Sequence, residues 1–253
     1  MTIVEIAIAA ALLGLLAFAW FGGKRLGREM SGALAEHPQF GVVQGAIVGL
    51  LSLLLGFCFA GALARFVERQ EVLGREACAI CSMYDVAALI PDPDRTKIRD
   101  EVRAYALLRR ELFARSRIAN EHDLRDELRA DLASVWDVTS RLIEGTPALA
   151  AALTGAYIEL SDSLGTRNAL EDRHMPSFVF VLLVFCAAAS VSSVGMGVEI
   201  SDQRLRRPAM VLIFLIAATL WMTLDLDFPR LGLIQLNGRP LDDAVRCVGG
   251  AIP

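Results

Sequence analysis

Four long stretches of this sequence contain no charged residue, and they constrain the fold more than any other feature. Two of them, Phe40 to Ala64 and Met175 to Val198, run for 25 and 24 residues without Asp, Glu, Lys or Arg. At a rise of about 1.5 Å per residue, a helix of either length crosses a hydrocarbon core of roughly 30 Å. These two stretches therefore predict transmembrane helices.

The two other charge-free stretches lie nearer the ends of the chain, Ile6 to Gly23 first and Pro208 to Leu224 last. A signal peptide would need positive charge before its apolar stretch. No Lys or Arg precedes Ile6 in this sequence, so we expect the first stretch to be a retained helix. The last has only 17 residues, with Pro208 suited to a first helical turn and Trp221 suited to a membrane interface. The sequence thus predicts an all-α protein with four transmembrane helices.

A polar segment, residues 65–174, separates the second predicted span from the third. It carries 16 Lys or Arg and 20 Asp or Glu. Apolar residues recur in it at helical spacing, so we expect a helical domain outside the bilayer into which membrane helices 2 and 3 extend. One such stripe is Ile98, Val102, Tyr105, Leu108 and Leu112. The predicted domains are 1–64 (helices 1 and 2), 65–174 (the polar domain), 175–224 (helices 3 and 4) and 225–253 (an interfacial tail).

Composition argues against several function classes. The net charge of −4 comes without any basic block, so nucleic acid is not an expected partner. The three histidines are far apart, so we expect no bound metal. The sequence has no phosphate loop or nucleophile elbow, so we expect that the protein binds no cofactor and is not an enzyme. Cys78 and Cys81 form a CxxC motif inside a predicted helix. We interpret these cysteines as structural, with a redox or metal role as the alternative.

Small residues on the second predicted span indicate close helix packing, because membrane helices associate where small side chains let backbones approach. Two interpretations remain open: packing within one subunit, or contact between the subunits of a homo-oligomer. The helix-packing residues are Gly41, Gly45 and Gly49, followed by Gly56 and Ala60 on a neighbouring stripe.

Charged residues near the span ends are candidates for the membrane interface. Asp225 and Asp227 follow the last span directly, where acids oppose the helix dipole. We expect them to pair with Arg230 or with arginines at the base of the polar domain, and a cation site is the alternative. The positive-inside rule weakly favours a polar domain outside the cell. The interfacial candidates are Arg65, Arg167, Asp225, Asp227 and Arg230.

Three segments of the chain resemble the bacterial bestrophin-like family of membrane proteins, whose function is not established. The first runs from Leu55 through Arg65-Phe66 to Tyr84, the second from Asp162 to Arg167 with Pro176 following, and the third from Leu224 through Asp225, Asp227 and Arg230 to Ile234. This resemblance implies a multi-pass protein of the bacterial inner membrane.

A more distant similarity links the second span to true bestrophins, which are pentameric anion channels with a cytoplasmic helical region. Their second helix carries three bulky apolar residues at four-residue spacing that form a hydrophobic neck. Leu53 and Phe57 match two of these positions, whereas Gly49 falls on the third and departs from the pattern. The resemblance therefore implies Leu53 and Phe57 as pore-lining candidates, although such residues also face lipid or pack between helices.

Two functions from different classes follow. The first is a homo-oligomeric channel for small ions, embedded in the lipid bilayer, with Leu53 and Phe57 at its constriction. The second is a membrane-anchored helical scaffold or sensor without transport activity, whose polar domain binds a partner.

Overall fold

The computed structural model describes residues 3–34, 39–115, 121–145, 147–200, 206–228 and 233–250, and every regular element in these ranges is helical. The predicted all-α class is therefore confirmed. A short 3-10 turn, Pro147–Leu149, leads into the fifth helix. The α-helices are α1 (Ile3–Leu34), α2 (Phe40–Ala87), α3 (Asp94–Arg115), α4 (Glu121–Gly145), α5 (Ala150–Glu171), α6 (Ser177–Ile200), α7 (Arg206–Asp227) and α8 (Arg239–Cys247).

Four of the described helices, α1, α2, α6 and α7, are long and apolar enough to cross a membrane. They coincide with the four charge-free stretches of the sequence, so the predicted number of spanning helices agrees with the structure. The first and last are longer than their apolar stretches, because helical backbone continues through the flanking charged residues. Lys24, Arg25 and Arg28 therefore lie on α1, not in a loop.

Helix α2 and helix α6 differ in the way they meet the polar segment. The 48 residues of α2 continue past Ala64 without a break, as expected from the absence of Gly-Pro signals. The expectation that the third membrane helix also extends is wrong, because α5 ends at Glu171 and four non-helical residues, 173–176, precede α6. Pro176 explains the break, since proline lacks an N–H and disfavours helical backbone in the residue before it.

The chain divides into two compact units. The first unit consists of Met1–Phe66 and His174–Ile234, and the second of Val67–Arg173 and Gln235–Pro253. The core of the first unit is built from α1, α2, α6 and α7. Its buried residues include Leu16, Trp20, Leu51, Leu55, Leu183, Ala187, Val191, Ile216 and Leu220.

Helices α1 and α6 pack closely in the first unit because glycines remove side chains from their contact. A Cβ on Gly195 would lie 2.8 Å from the carbonyl oxygen of Trp20, closer than real Cβ contacts come. Two ion pairs complete the contact, since Glu199 on α6 accepts Lys24 Nζ at 3.1 Å and Arg28 Nε at 2.7 Å. Backbone approach of this kind is how membrane helices associate without a hydrophobic driving force.

The second unit has its own apolar core, and the stripe predicted on α3 contributes to it. Ile98, Val102, Tyr105 and Leu112 are buried, and Leu108 packs against the cluster from a half-buried position. The tail helix α8 joins the same core and packs on α3. The helix contributes Ala244 and Val245, and Val248 joins the core from the position directly after it.

Candidate functional site

Within the described part of the chain, one face of α2 between Phe40 and Ala64 is not covered by another helix. The opposite face packs into the first unit through Leu51, Leu55 and Ala62. On the uncovered face, a Cβ added to any of four glycines would meet no neighbouring side chain or other helix within 4 Å. Ala60 is exposed on the same face. The four glycines are Gly41, Gly45, Gly49 and Gly56.

Contact between α2 and α6 uses other residues. A Cβ on Gly197 would lie 2.7 Å from the side-chain oxygen of Gln44. The hydroxyl of Ser190 donates to the carbonyl oxygen of Ile47 at 3.4 Å. The glycines that the sequence analysis assigned to helix packing therefore lie away from the contacts that α2 makes inside the first unit.

Leu53 and Phe57 are exposed beside the open glycines, with 57% and 69% of their surfaces accessible. At 3.6 residues per turn, Phe57 lies roughly 80° around the helix from Gly49. Bulky and small residues thus form two neighbouring stripes, and both lie on the part of α2 that no other described helix covers.

The carboxylate of Asp227, at the end of α7, is buried and surrounded by donors. Arg65 of α2 approaches its Oδ1 through Nε at 2.8 Å and Nη2 at 2.7 Å. The backbone N–H of Met175 donates to Oδ2 at 2.9 Å. His174 completes the group, with Nδ1 at 3.2 Å from the carbonyl oxygen of Asp227 and its ring stacked on Phe228. This acid at a helix C-terminus is stabilised by a guanidinium, which compensates for the unfavourable dipole.

Asp225 is also buried, and its partners are backbone amides. Its two carboxylate oxygens accept the N–H groups of Leu233 and Ile234 at 2.9 and 2.8 Å. The side chain therefore holds the segment after α7 folded back beside the helix end. Arg230, which the sequence suggested as a partner of Asp225, lies outside the described residues.

Arg167 lies in the second unit, inside a network of charges that runs from the buried Glu76 to the exposed Asp172. Its guanidinium is 3.5 Å from Glu171 and 3.9 Å from Glu76. Arg125 continues the network, with Nη2 at 3.6 Å from Glu171 and 2.7 Å from Asp172. Arg109, the partner of Glu76, brings the network to three arginines and three carboxylates. They lie on α2, α3, α4 and α5, with Asp172 directly after the end of α5.

Glu76 and Arg109 form the most deeply buried pair of this network, with 0% and 3% of their side chains exposed. Arg109 donates from Nε and Nη2 to the two carboxylate oxygens at 2.7 and 2.9 Å. Burial alone would lower the pKa of Arg109, but the adjacent Glu76 carboxylate outweighs it and raises that pKa. Burial also lowers the pKa of Arg167 and raises that of Tyr105, whose phenol therefore stays protonated. The pair is a fixed ionic contact between α2 and α3.

Arg69 of α2 caps the C-terminus of α5. Its Nε donates to the carbonyl oxygen of Leu170 at 3.3 Å, and its Nη2 donates to that of Arg173 at 2.7 Å. The last carbonyls of a helix lack partners within the helix and carry partial negative charge, so a guanidinium satisfies both needs. This buried arginine fixes the place where α5 ends.

The described residues contain no group of three or more His, Cys, Asp or Glu side chains that could hold a metal ion. The charged clusters consist of carboxylates already paired with arginines or backbone amides. The uncovered face of α2 takes no part in any of the contacts described above.

Known proteins identify this architecture. The sequence profile of the Bestrophin-like domain matches residues 8–241. The chain belongs to the Bestrophin-like domain family. No curated protein matches it at a significant level.

Crystal structures of a bacterial bestrophin homologue from Klebsiella pneumoniae share the fold of this Bestrophin-like chain. A single-residue variant superposes with a TM-score of 0.74 at 13% identity, covering 94% of this chain and 97% of the homologue. Another crystal structure of the homologue, phased with zinc, gives 0.70 at 14% identity, covering 95% and 99%. At this identity the likeness establishes the fold, and the four apolar helices make the chain a membrane protein.

Sequence reasoning missed several residues that organise this Bestrophin-like protein. Arg109 stands where an apolar residue would continue the α3 stripe, four residues after Tyr105 and three before Leu112. A charged residue on the apolar stripe of a helix indicates a buried ion pair. The position of Arg109 could therefore have been recognised from the sequence. Glu76 likewise stands at helical spacing between two apolar residues, three after Leu73 and four before Ile80.

Proposed function

We propose that this chain is the subunit of a homo-oligomeric channel for small ions, in which α2 lines the central axis. Leu53 and Phe57 would form its narrowest part. The observation that carries the proposal is the uncovered face of α2, where open glycines lie beside exposed bulky residues. The match to the Bestrophin-like domain makes a channel the first function to test.

The two stripes of that face have different uses in a ring of subunits. Glycines allow a neighbouring backbone to approach closely, and the van der Waals packing that results is one of the forces that associate membrane helices. The Leu53 and Phe57 stripe, rotated from the glycines, would then point at the axis. A ring of such side chains closes a pore by excluding water, and it opens when the ring widens.

The proposal also covers where the second unit and the whole protein lie. The second unit contains the charge-rich part of the sequence, so its helices belong in water outside the hydrocarbon. The bacterial inner membrane is the proposed location, and the ionic clusters serve structure instead of catalysis.

The oligomeric state in a nanodisc is the first measurement, followed by ion flux into liposomes. We expect a symmetric oligomer and a flux above that of empty vesicles. Phe57→Ala should change the flux at least several-fold, because it removes the bulk that narrows the axis. A purified monomer, or a verified oligomer without flux, would leave the membrane-anchored scaffold as the function.

Phe185 on α6 provides a matched control, since 70% of its surface is exposed against 69% for Phe57. Phe185→Ala removes the same side chain from a helix that does not line the proposed axis. The flux of this variant should equal that of the wild type. Equal effects of both substitutions would contradict an axis lined by α2.

The glycine stripe has its own test. Gly49→Leu adds a side chain into space that is open in the single chain, so the subunit should still fold. If neighbouring subunits approach at this stripe, the variant should shift from oligomer to monomer in native mass spectrometry. An unchanged oligomer would place the subunit contact elsewhere.

A further inference from the structure

The second unit contains a four-helix bundle, built from the last part of α2 together with α3, α4 and α5. The buried ion pair described above joins α2 to α3. The hydroxyl of Ser134 on α4 donates to Glu101 on α3 at 2.6 Å, and the ring centroids of Trp136 on α4 and Tyr157 on α5 lie 4.6 Å apart. Arg69 of α2 closes the circle, because it donates to backbone carbonyls at the end of α5. Each helix therefore packs on two others, so α3 and α5 lie on opposite sides of the bundle.

Helices α3 and α5 run in the same direction and are aligned in height. The connections before and after α4 have about five residues each and reach less than about 20 Å, whereas α3 and α5 are about 33 Å long. Both helices are therefore antiparallel to α4. On α2, the carboxylate of Glu76 lies 2.7 Å from Arg109 of α3 and 3.9 Å from Arg167 of α5. Leu107 and Gly165 each lie two residues before one of these arginines, so they are at about the same height.

The outer surface of α5 is acidic. The helix has three acidic residues and one basic residue, and that basic residue, Arg167, is turned inward to Glu76. Glu159 and Asp162 are exposed, and neither makes an ion pair within the described part of the chain. Gly165 is exposed on the same surface, where a Cβ would meet no neighbouring side chain or other helix within 4 Å.

The opposite flank of the bundle is basic. Helix α3 has seven basic and four acidic residues, which gives it a net charge of +3 against −2 for α5. Helix α8, which packs on α3, has two of each kind and leaves this surplus unchanged. Leu107 lies on α3 with 36% of its surface exposed. The two flanks thus carry opposite charge, and at the same height one has an exposed leucine and the other an open glycine.

We propose that α5 of one subunit packs against α3 of the next subunit around the ring, with Leu107 over Gly165. This contact rests on the proposed oligomer, in which α2 faces the axis. With α2 innermost, α4 lies outermost, and α3 and α5 form the two flanks that meet neighbouring subunits. Rotation about the axis preserves height along it, so residues that are level in one chain are also level across the contact.

The charges of the two flanks favour a second copy of this chain as the partner. Head-to-tail packing brings the surplus of positive charge on α3 to the negative charge on α5, and such complementarity fixes the orientation of partners. Packing α5 on α5 would instead bring Glu159 and Asp162 of two copies together, which like-charge repulsion opposes. A head-to-tail contact generates a ring when its rotation closes.

Oxidation of the Leu107→Cys/Gly165→Cys double variant in nanodiscs tests this contact. Its background replaces the cysteines of the second unit by serine: Cys78, Cys81 and Cys247. After treatment with copper phenanthroline, we expect a ladder of disulfide-linked chains up to the full oligomer, because each chain meets a neighbour on both flanks. Either single variant should remain unlinked.

Leu107→Cys combined with Ala151→Cys is the matched control for the alignment in height. Ala151 is exposed on α5, but it lies fourteen residues before Gly165, about 21 Å away along the helix. This pair should stay unlinked under the same oxidation. A ladder as strong as that of the Leu107→Cys/Gly165→Cys variant would overturn the proposed alignment.

Native mass spectrometry of the same nanodiscs distinguishes the ways in which the test can fail. An oligomeric double variant without a ladder would overturn this contact and leave the proposed channel standing. A monomeric wild type would remove the contact and the proposed function together. Dimers formed by Gly165→Cys alone would indicate α5 packed on α5, against the proposal.

Charge reversal tests the contact even if the cysteine variant does not assemble. Asp162→Arg should lower the oligomeric fraction several-fold, because the new arginine meets the basic flank of the neighbour. Glu144→Arg is the matched control, since Glu144 is an exposed acid on α4, the outermost helix of the proposed ring. Its oligomeric fraction should equal that of the wild type. Equal effects of both reversals, or no effect of Asp162→Arg, would contradict the contact.

Discussion

Gly23 of α1 lies directly against the backbone of Ser192 on α6: a Cβ at Gly23 would come within 2.0 Å of the Ser192 carbonyl oxygen. Backbone cannot yield as a flexible side chain can, so Gly23→Ala must push the two helices apart. We expect a loss of about 1–3 kcal/mol of stability, as for other overpacked sites. Thermal unfolding in detergent, followed by circular dichroism, measures the lower Tm.

Gly22 provides the adjacent control, because a Cβ there meets no neighbouring side chain or other helix within 4 Å. Gly22→Ala should leave Tm unchanged or raise it slightly, since alanine favours helix more than glycine does. A similar fall in Tm for both variants would mean that the substitutions act through the helix backbone and not through the α1–α6 contact.

Removing one partner of the Glu76–Arg109 pair should be costly, because the other charge would remain buried. We expect Glu76→Gln to lower the free energy of unfolding by about 3–5 kcal/mol. Glu71→Gln, five residues earlier on α2, removes an exposed carboxylate 3.8 Å from Arg75. That control should change stability by less than about 0.5 kcal/mol. Chemical denaturation of the purified protein compares the two.

Asp227→Asn should weaken the end of α7, because it removes the charge that Arg65 and the N–H of Met175 contact. The expected loss is about 2–4 kcal/mol, seen as a lower Tm. Asp243→Asn on α8 changes an exposed acid paired with Arg246 and is the reference. Equal Tm values for the two variants would show that the Arg65 contact contributes little.

The carboxyl of Asp131 on α4 should make stability depend on pH. Partial burial raises its pKa, and the charges of Glu101 and Glu127 raise it further. The folded state therefore binds this proton more tightly than the unfolded state, so the contribution to stability is present at low pH and is lost as pH rises through the folded pKa.

Asp131→Asn consequently should have a higher Tm than the wild type at pH 7. The difference should shrink as pH falls towards the pKa of an unfolded aspartate, about 3.9. Asp126→Asn, an exposed acid of the same helix paired with Arg129, is the control and should show no such trend. A gain in Tm that is constant between pH 4 and pH 7 would contradict the raised pKa.

The sequence predicted the helices well because hydrophobic burial acts on long, local patterns. Charge-free windows located α1, α2, α6 and α7, and the 3–4 spacing of Ile98, Val102 and Tyr105 marked the buried side of α3. The break before α6 was harder to place, because residues 173–176 leave the helix under the influence of one proline.

Contacts between distant parts of the chain were less predictable, because they depend on which helices become neighbours. The pairing of Asp227 with an arginine was expected, but several arginines were available and the structure places Arg65 there. The open environment of Gly49 and the crowded one of Gly23 cannot be distinguished by composition, since both are glycines with another glycine four residues away.

The buried charges of the second unit also limit how its helices can move. Glu76 and Arg109 interact favourably in one alignment of α2 and α3 only, because both of their hydrogen bonds depend on the register of the two helices. Moving either helix by one turn, about 5.4 Å, would separate the two charges inside an apolar interior. Rearrangements of this bundle are therefore expected to occur as discrete changes in the register of its helices, without stable intermediate alignments.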